Sequence, residues 1–125
     1  MKENDLSFLI RGAIFNVFNR LGPGLLESVY EYALVFELKK LGLFVQTQVP
    51  LPVTYDDVHL DKGYRVDIIV NGLVVVEIKS TERLEEVHHM QLLTYLKLSG
   101  LKLGLLVNFN TSNISKSIYR KVNNL

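Results

Sequence analysis

Three charged residues stand where apolar ones are expected. Asp67 interrupts a β-forming run over 64–70. Glu77 and Lys79 interrupt a second run, Val74-Val75-Val76-Glu77-Ile78-Lys79. Alternation along a strand puts Glu77 and Lys79 on one face. A strand this apolar is expected to be central, and charges buried there cost free energy unless they are paired or bind an ion. Two carboxylates on one face repel each other unless a cation bridges them or one is protonated. Oxygen-only ligands suit a hard ion, Mg²⁺ or Mn²⁺. Such an ion polarises a phosphate oxygen and lowers the pKa of a bound water. Lys79 beside it could orient that water or neutralise charge developing on a pentavalent phosphate. These residues would serve metal-dependent phosphodiester hydrolysis. They would equally serve a buried Asp–Lys–Glu ion-pair network holding a hairpin, and residue chemistry alone leaves both open.

Whether Asp67 joins the other two depends on hairpin register. Asn71-Gly72 between two β-rich runs is a strong hairpin signal. A two-residue loop pairs Val70 with Leu73 and turns Asp67 away from Glu77. A three-residue loop, Val70-Asn71-Gly72 with a left-handed Gly72 as a bulge, pairs Asp67 with Val75, one same-face step from Glu77. The bulged loop is therefore expected.

Other elements must position these residues. Apolar spacing predicts a helix over 5–21, capped by Asp5 and stopped by Gly22-Pro23-Gly24. A second helix follows over about 25–41, with Gly42 as its left-handed end. Residues 43–55 alternate as a strand, and Pro50 and Pro52 place part of it at an edge or a bulge. Residues 56–63 read as a polar connection before the hairpin. A helix spans 84–99, ended by Gly100, and Leu103–Asn108 is a short strand covered on both faces. For 114–122 periodicity does not choose between helix and edge strand. The order ααβββαβ plus a C-terminal tail predicts one three-layer α/β/α domain over 1–125, with a mixed sheet of four or more strands.

The chain has 125 residues, 48% hydrophobic and 22% charged, which is globular composition. It has no cysteine, which excludes disulfides, zinc–thiolate sites and thiol nucleophiles. No apolar run is long enough to span a membrane, and the polar start is unlike a secretory signal, so a cytoplasmic protein is expected. Residues 1–77 carry seven Lys/Arg against ten Asp/Glu, and residues 78–125 carry seven against three. This mild basic tail is not the positive stripe of a dedicated DNA binder. Neither a phosphate-binding Gly-rich loop nor a nucleophile elbow is present.

Asp67, nine intervening residues, then Glu77-Ile78-Lys79 resembles the PD-(D/E)XK motif of restriction-endonuclease-like nucleases, with Val66 where a proline is usual. Gly24-Leu25-Leu26-Glu27-Ser28-Val29-Tyr30 resembles the GxxExxY signature of one bacterial and archaeal branch of that superfamily. The likeness continues through Gln91-Leu92-Leu93-Thr94-Tyr95-Leu96 and Leu105-Leu106-Val107-Asn108-Phe109. It implies a restriction-endonuclease-like fold and a Mg²⁺- or Mn²⁺-dependent nuclease acting on DNA or RNA. Asp67 and Glu77 would hold the metal, and Glu27 would be a further ligand or a base orienting water. Lys79 would stabilise charge, and Gln91 would orient water or substrate.

Tyr30, Tyr95 and His88 are candidates for contact with substrate. Glu27 and Tyr30 share a helix face, and an acid at a helix start also suits the macrodipole. His88, Gln91 and Tyr95 lie on one stripe. His88 and the adjacent His89 diverge by about 100° and cannot form an i, i+4 zinc pair. The competing reading is a non-catalytic nucleic-acid-binding or assembly module with the same fold. So small a core would gain binding surface from a homodimer or an accessory protein.

Overall fold

The computed structural model describes residues 1–60 and 63–125. The first helix, α1 (Glu3–Leu21), buries Leu6, Ile10, Ala13, Ile14 and Val17, a single stripe at helical spacing. It starts two residues earlier than expected. Lys2 is its N-cap, so Asp5 caps nothing and lies in the first turn, where its charge suits the helix dipole. The second helix, α2 (Glu27–Lys40), buries Tyr30, Leu34 and Leu38 against the same core. Gly42 follows it with φ +79°.

Strands β1 (Val45–Tyr55), β2 (Val58–Val70), β3 (Val74–Lys79), β4 (Leu103–Asn108) and β5 (Ile118–Val122) form one sheet in the order β1-β2-β3-β4-β5. All neighbours are antiparallel except β3 and β4. The parallel pair is joined by α3 (Glu86–Ser99), the crossover such a pair requires. Helices α1 and α2 cover one face through a core that includes Ile68, Val76, Ile78 and Leu105. Helix α3 covers the other through Leu92, Tyr95 and Leu96 against Val66, Val75 and Leu106. A Cβ on Gly104 would come within 2.7 Å of Leu92, so glycine there admits α3 to close contact with β4. The architecture is the three-layer α/β/α arrangement expected.

Two connections differ from expectation. The polar connection expected over 56–63, of which 61 and 62 lie outside the described residues, is instead a tight turn. Asp56 (φ +52°) and Asp57 (φ +66°) make it, and β2 begins at Val58. Both residues take the left-handed conformation a two-residue hairpin demands, which Asp tolerates without the usual glycine. The tail adds a single 3₁₀ turn, Ile114–Lys116, and then β5, an antiparallel edge strand against β4. At the opposite edge β1 shifts register between Leu51 and Val53, at Pro52, combining the edge and the bulge that its prolines imply.

Candidate active site

The β2–β3 loop has the expected three residues but a different register. Val70 pairs with Val74, Ile69 with Val75 and Ile68 with Val76, so the loop is Asn71-Gly72-Leu73. Asn71 (φ +53°) and Gly72 (φ +64°) form a tight turn closed by the Leu73 N–H donating to the Val70 carbonyl at 2.9 Å. Phe44 fixes it from outside, donating its N–H to Asn71 Oδ1 at 2.8 Å and accepting from the Asn71 N–H at 2.7 Å. Leu73 is thereby the extra residue. Continuing the register sets Asp67 opposite Glu77 rather than Val75, closer than the expected loop would have put it.

Beyond Ile68–Val76 the two strands fork, and side chains replace the backbone ladder. The Asp67 N–H donates to Glu77 Oε2 at 2.7 Å, and the Ile78 N–H donates to Asp67 Oδ2 at 2.8 Å. Each carboxylate satisfies a backbone donor on the other's strand, which is why the fork survives burial. Glu77 is only 3% exposed. Burial first, and the Asp67 charge second, push its carboxyl up to about 8, against the pull of the Asp67 N–H and of Lys79. Asp67 is also raised, chiefly by burial, while the Ile78 N–H and Lys79 oppose the shift. The one ion pair among the described residues is Glu37–Lys40 at 3.3 Å. Lys79 makes none with the fork, so a closed Asp–Lys–Glu network is absent among the described residues.

Helix α2 faces the fork across a cleft of about 270 Å³ lined by Glu27, Ser28, Glu31, Gln48, Asp67 and Ile78. Glu27 Oε2 accepts the Ser80 N–H at 3.4 Å, and Ser80 Oγ donates to the Leu25 carbonyl at 2.6 Å, fastening the end of β3 to the start of α2. Tyr30 explains the rest of its motif. It is 0% exposed, stacks on Phe109 at 4.3 Å, donates its hydroxyl to the Gly22 carbonyl and accepts the Leu25 N–H. Gly24, at φ +96°, lets the chain turn between those two anchors. Tyr30 is therefore no substrate contact: it is wholly buried, and it holds the loop that presents Glu27.

From the other face, α3 brings Tyr95 and Gln91. Burial pushes the Tyr95 hydroxyl up to about 12, with the charges of Glu77 and Asp67 adding to it and a hydrogen bond from Gln91 opposing it. Tyr95 thus sits within electrostatic reach of the fork, with Gln91 beside it, and it also packs edge-on against Tyr64. His88 is elsewhere. Its Nδ1 accepts the Glu85 N–H at 2.9 Å and completes a capping box, so one ring nitrogen is committed to the start of α3.

Three residues escape a reading of the sequence. Gln48 and Glu31 line the cleft. Asn108, opposite Lys79 in the parallel pair, is buried and bonds both backbone groups of Thr81, fixing the chain just after the lysine. An asparagine ending an all-apolar strand was the available signal for the last. The first two carry none.

A mixed sheet between helical layers, with Asp, Glu and Lys gathered where two strands fork, defines a restriction-endonuclease-like nuclease fold. The family model of the PD-(D/E)XK nuclease superfamily matches residues 4–121, and the chain belongs to that superfamily. No match is found among curated proteins or solved structures.

Nucleases of this superfamily generally use divalent metals, and the donors at the fork suit one. Asp67 Oδ1 and Glu77 Oε1 are the oxygens not committed to backbone N–H groups. Burial raises the pKa of both side chains, and repulsion from Asp67 raises Glu77 further, so a cation placed between them would favour their ionised forms. Among the described residues no three His, Asp or Glu side chains stand ready to cage an ion. Two carboxylates with uncommitted oxygens fit a hard divalent cation that takes the rest of its ligands from elsewhere.

Proposed function

We propose that this protein is a metal-dependent nuclease of the GxxExxY branch, hydrolysing phosphodiester bonds of DNA or RNA at the Asp67–Glu77 fork. The observation that carries the reading is a buried and a half-buried carboxylate, cross-bonded to each other's strands and lacking a cation partner among the described residues. Such a pair costs stability, and folds keep that kind of cost chiefly at functional sites. The branch assignment is supported by the parts Gly24, Glu27 and Tyr30 take in building the cleft wall.

Asp67 and Glu77 would hold Mg²⁺ or Mn²⁺, which supplies Lewis acidity toward a phosphate oxygen and a water of lowered pKa. Lys79 places its ammonium beside the phosphate and offsets charge that grows in the transition state. Glu27, across the cleft, accepts a proton from the attacking water or orients it. Gln91 orients the water or the substrate from the α3 side.

Asp67→Asn keeps the acceptor for the Ile78 N–H while removing the charge. Mn²⁺ titration and nucleic-acid cleavage, measured on the same samples of wild type and variant, test the proposal. Cleavage is expected to fall by about 10²–10³-fold, with Mn²⁺ binding weakened alongside it. Metal-dependent cleavage that persists in Asp67→Asn contradicts the assignment.

A further inference from the structure

Gln48 has a backbone conformation its side chain does not favour. Its φ is +50°, in the left-handed region. It stands where β1 and β2 turn over together: Thr47 pairs with Ile68, Val49 pairs with Val66, and Gln48 lies across from Asp67. On one side of this point Val45, Ile68 and Val70 pack toward α1 and α2. On the other, Val49, Leu51 and Val66 pack toward α3. The break in alternation brings Gln48 and Asp67 to the wall of the cleft. There Gln48 Nε2 donates to Glu31 Oε1 at 2.8 Å and reaches Asp67 Oδ1 at 3.5 Å. One carboxamide thus links α2 to β2 across the cleft. Strain of this kind persists where the surroundings enforce it, and such positions cluster at functional sites.

We propose that Gln48 is a positioning residue, whose carboxamide sets the direction of the uncommitted Asp67 oxygen and its separation from Glu31 on α2. It acts through Asp67 and touches no reacting atom. The inference rests on the metal-dependent reading of the fork. Hydrogen bonds from outer groups orient carboxylate ligands, and their loss weakens metal affinity by about 10–100-fold.

Two variants separate the carboxamide from the backbone. Gln48→Gly removes the donor and relieves the left-handed strain. Gln48→Met removes the donor and keeps the length of the stem. Mn²⁺ alone is titrated into each full-length protein, and melting temperatures are measured without metal. Both variants are expected to bind Mn²⁺ about 10–100-fold more weakly than wild type, while Gln48→Gly melts no lower. Weaker binding without lost stability is an effect a merely structural residue would not give. Wild-type affinity in both variants overturns the proposal, as does a loss confined to Gln48→Gly, which would assign the effect to the backbone. Wild type that binds no Mn²⁺ overturns the metal reading and the role of Gln48 with it.

Discussion

Glu77→Gln is expected to be more stable than wild type in alkaline, metal-free buffer and to lack cleavage. The Glu77 carboxyl is raised from 4.5 to about 8 in the fold, first by burial and then by Asp67. Between those two values the folded state holds a proton that the unfolded state has released. Stability therefore falls as pH rises through this window, and the full penalty is present above about pH 8. Below about pH 4 both states are protonated and the group contributes no difference. Every tenfold difference in proton affinity between the folded and unfolded states is worth about 1.4 kcal/mol, so the penalty amounts to several kcal/mol. Glutamine removes it while its carbonyl oxygen still accepts the Asp67 N–H.

Urea unfolding of wild type and Glu77→Gln at about pH 4 and about pH 9, with chelator present, gives the comparison. The variant is expected to match wild type at the lower pH and exceed it by several kcal/mol at the higher. A variant less stable at the higher pH would mean that the Glu77 charge supports the fold, as an ion-pair network requires.

Lys79→Ala is expected to lose cleavage by about 10²–10³-fold while folding normally, since it removes charge placed for the transition state. Its ammonium lowers the carboxyls of both Asp67 and Glu77 without bonding either directly. The variant should therefore lose stability chiefly in alkaline, metal-free buffer, where both carboxylates are forced to ionise, and little in acid. Lys79→Arg is expected to restore the stability more fully than the cleavage, because a planar guanidinium does not place its charge as an ammonium does. Steady-state cleavage and urea titrations on the three proteins check this. Cleavage by Lys79→Ala within tenfold of wild type would remove the lysine from the chemistry.

The parts of the site legible in the sequence are those set by local chemistry. Charges breaking apolar strands marked Asp67, Glu77 and Lys79, and Asn71-Gly72 announced a hairpin whose three-residue loop gathers them. Its register was not legible. The turn closes on Leu73 while Phe44, distant in sequence, grips Asn71. Gln48 was hidden for a similar reason: its role comes from a left-handed backbone and a cross-strand partner, neither of which a residue type declares. The motif marks Tyr30 without declaring its role, because spacing cannot tell a tyrosine facing the cleft from one buried beneath its loop. The cap that His88 Nδ1 forms on the Glu85 N–H is equally hidden, since it depends on where α3 begins. The Asp56-Asp57 hairpin is not legible either, because two aspartates look like solvent-exposed connection and nothing local shows that both turn left-handed.

A metal-dependent reaction at the Asp67–Glu77 fork requires that the two carboxylates hold a divalent cation. Anomalous diffraction at the manganese edge, from crystals grown with Mn²⁺, tests it most directly. The expected result is a single strong peak between Asp67 Oδ1 and Glu77 Oε1 at about 2.0–2.3 Å from each, near the distances hard cations keep to carboxylate oxygens. That peak should be absent from crystals of Asp67→Asn. A fork without a peak in crystals saturated with Mn²⁺, or Mn²⁺ held only by Glu27 and Glu31 of α2, would contradict the claim.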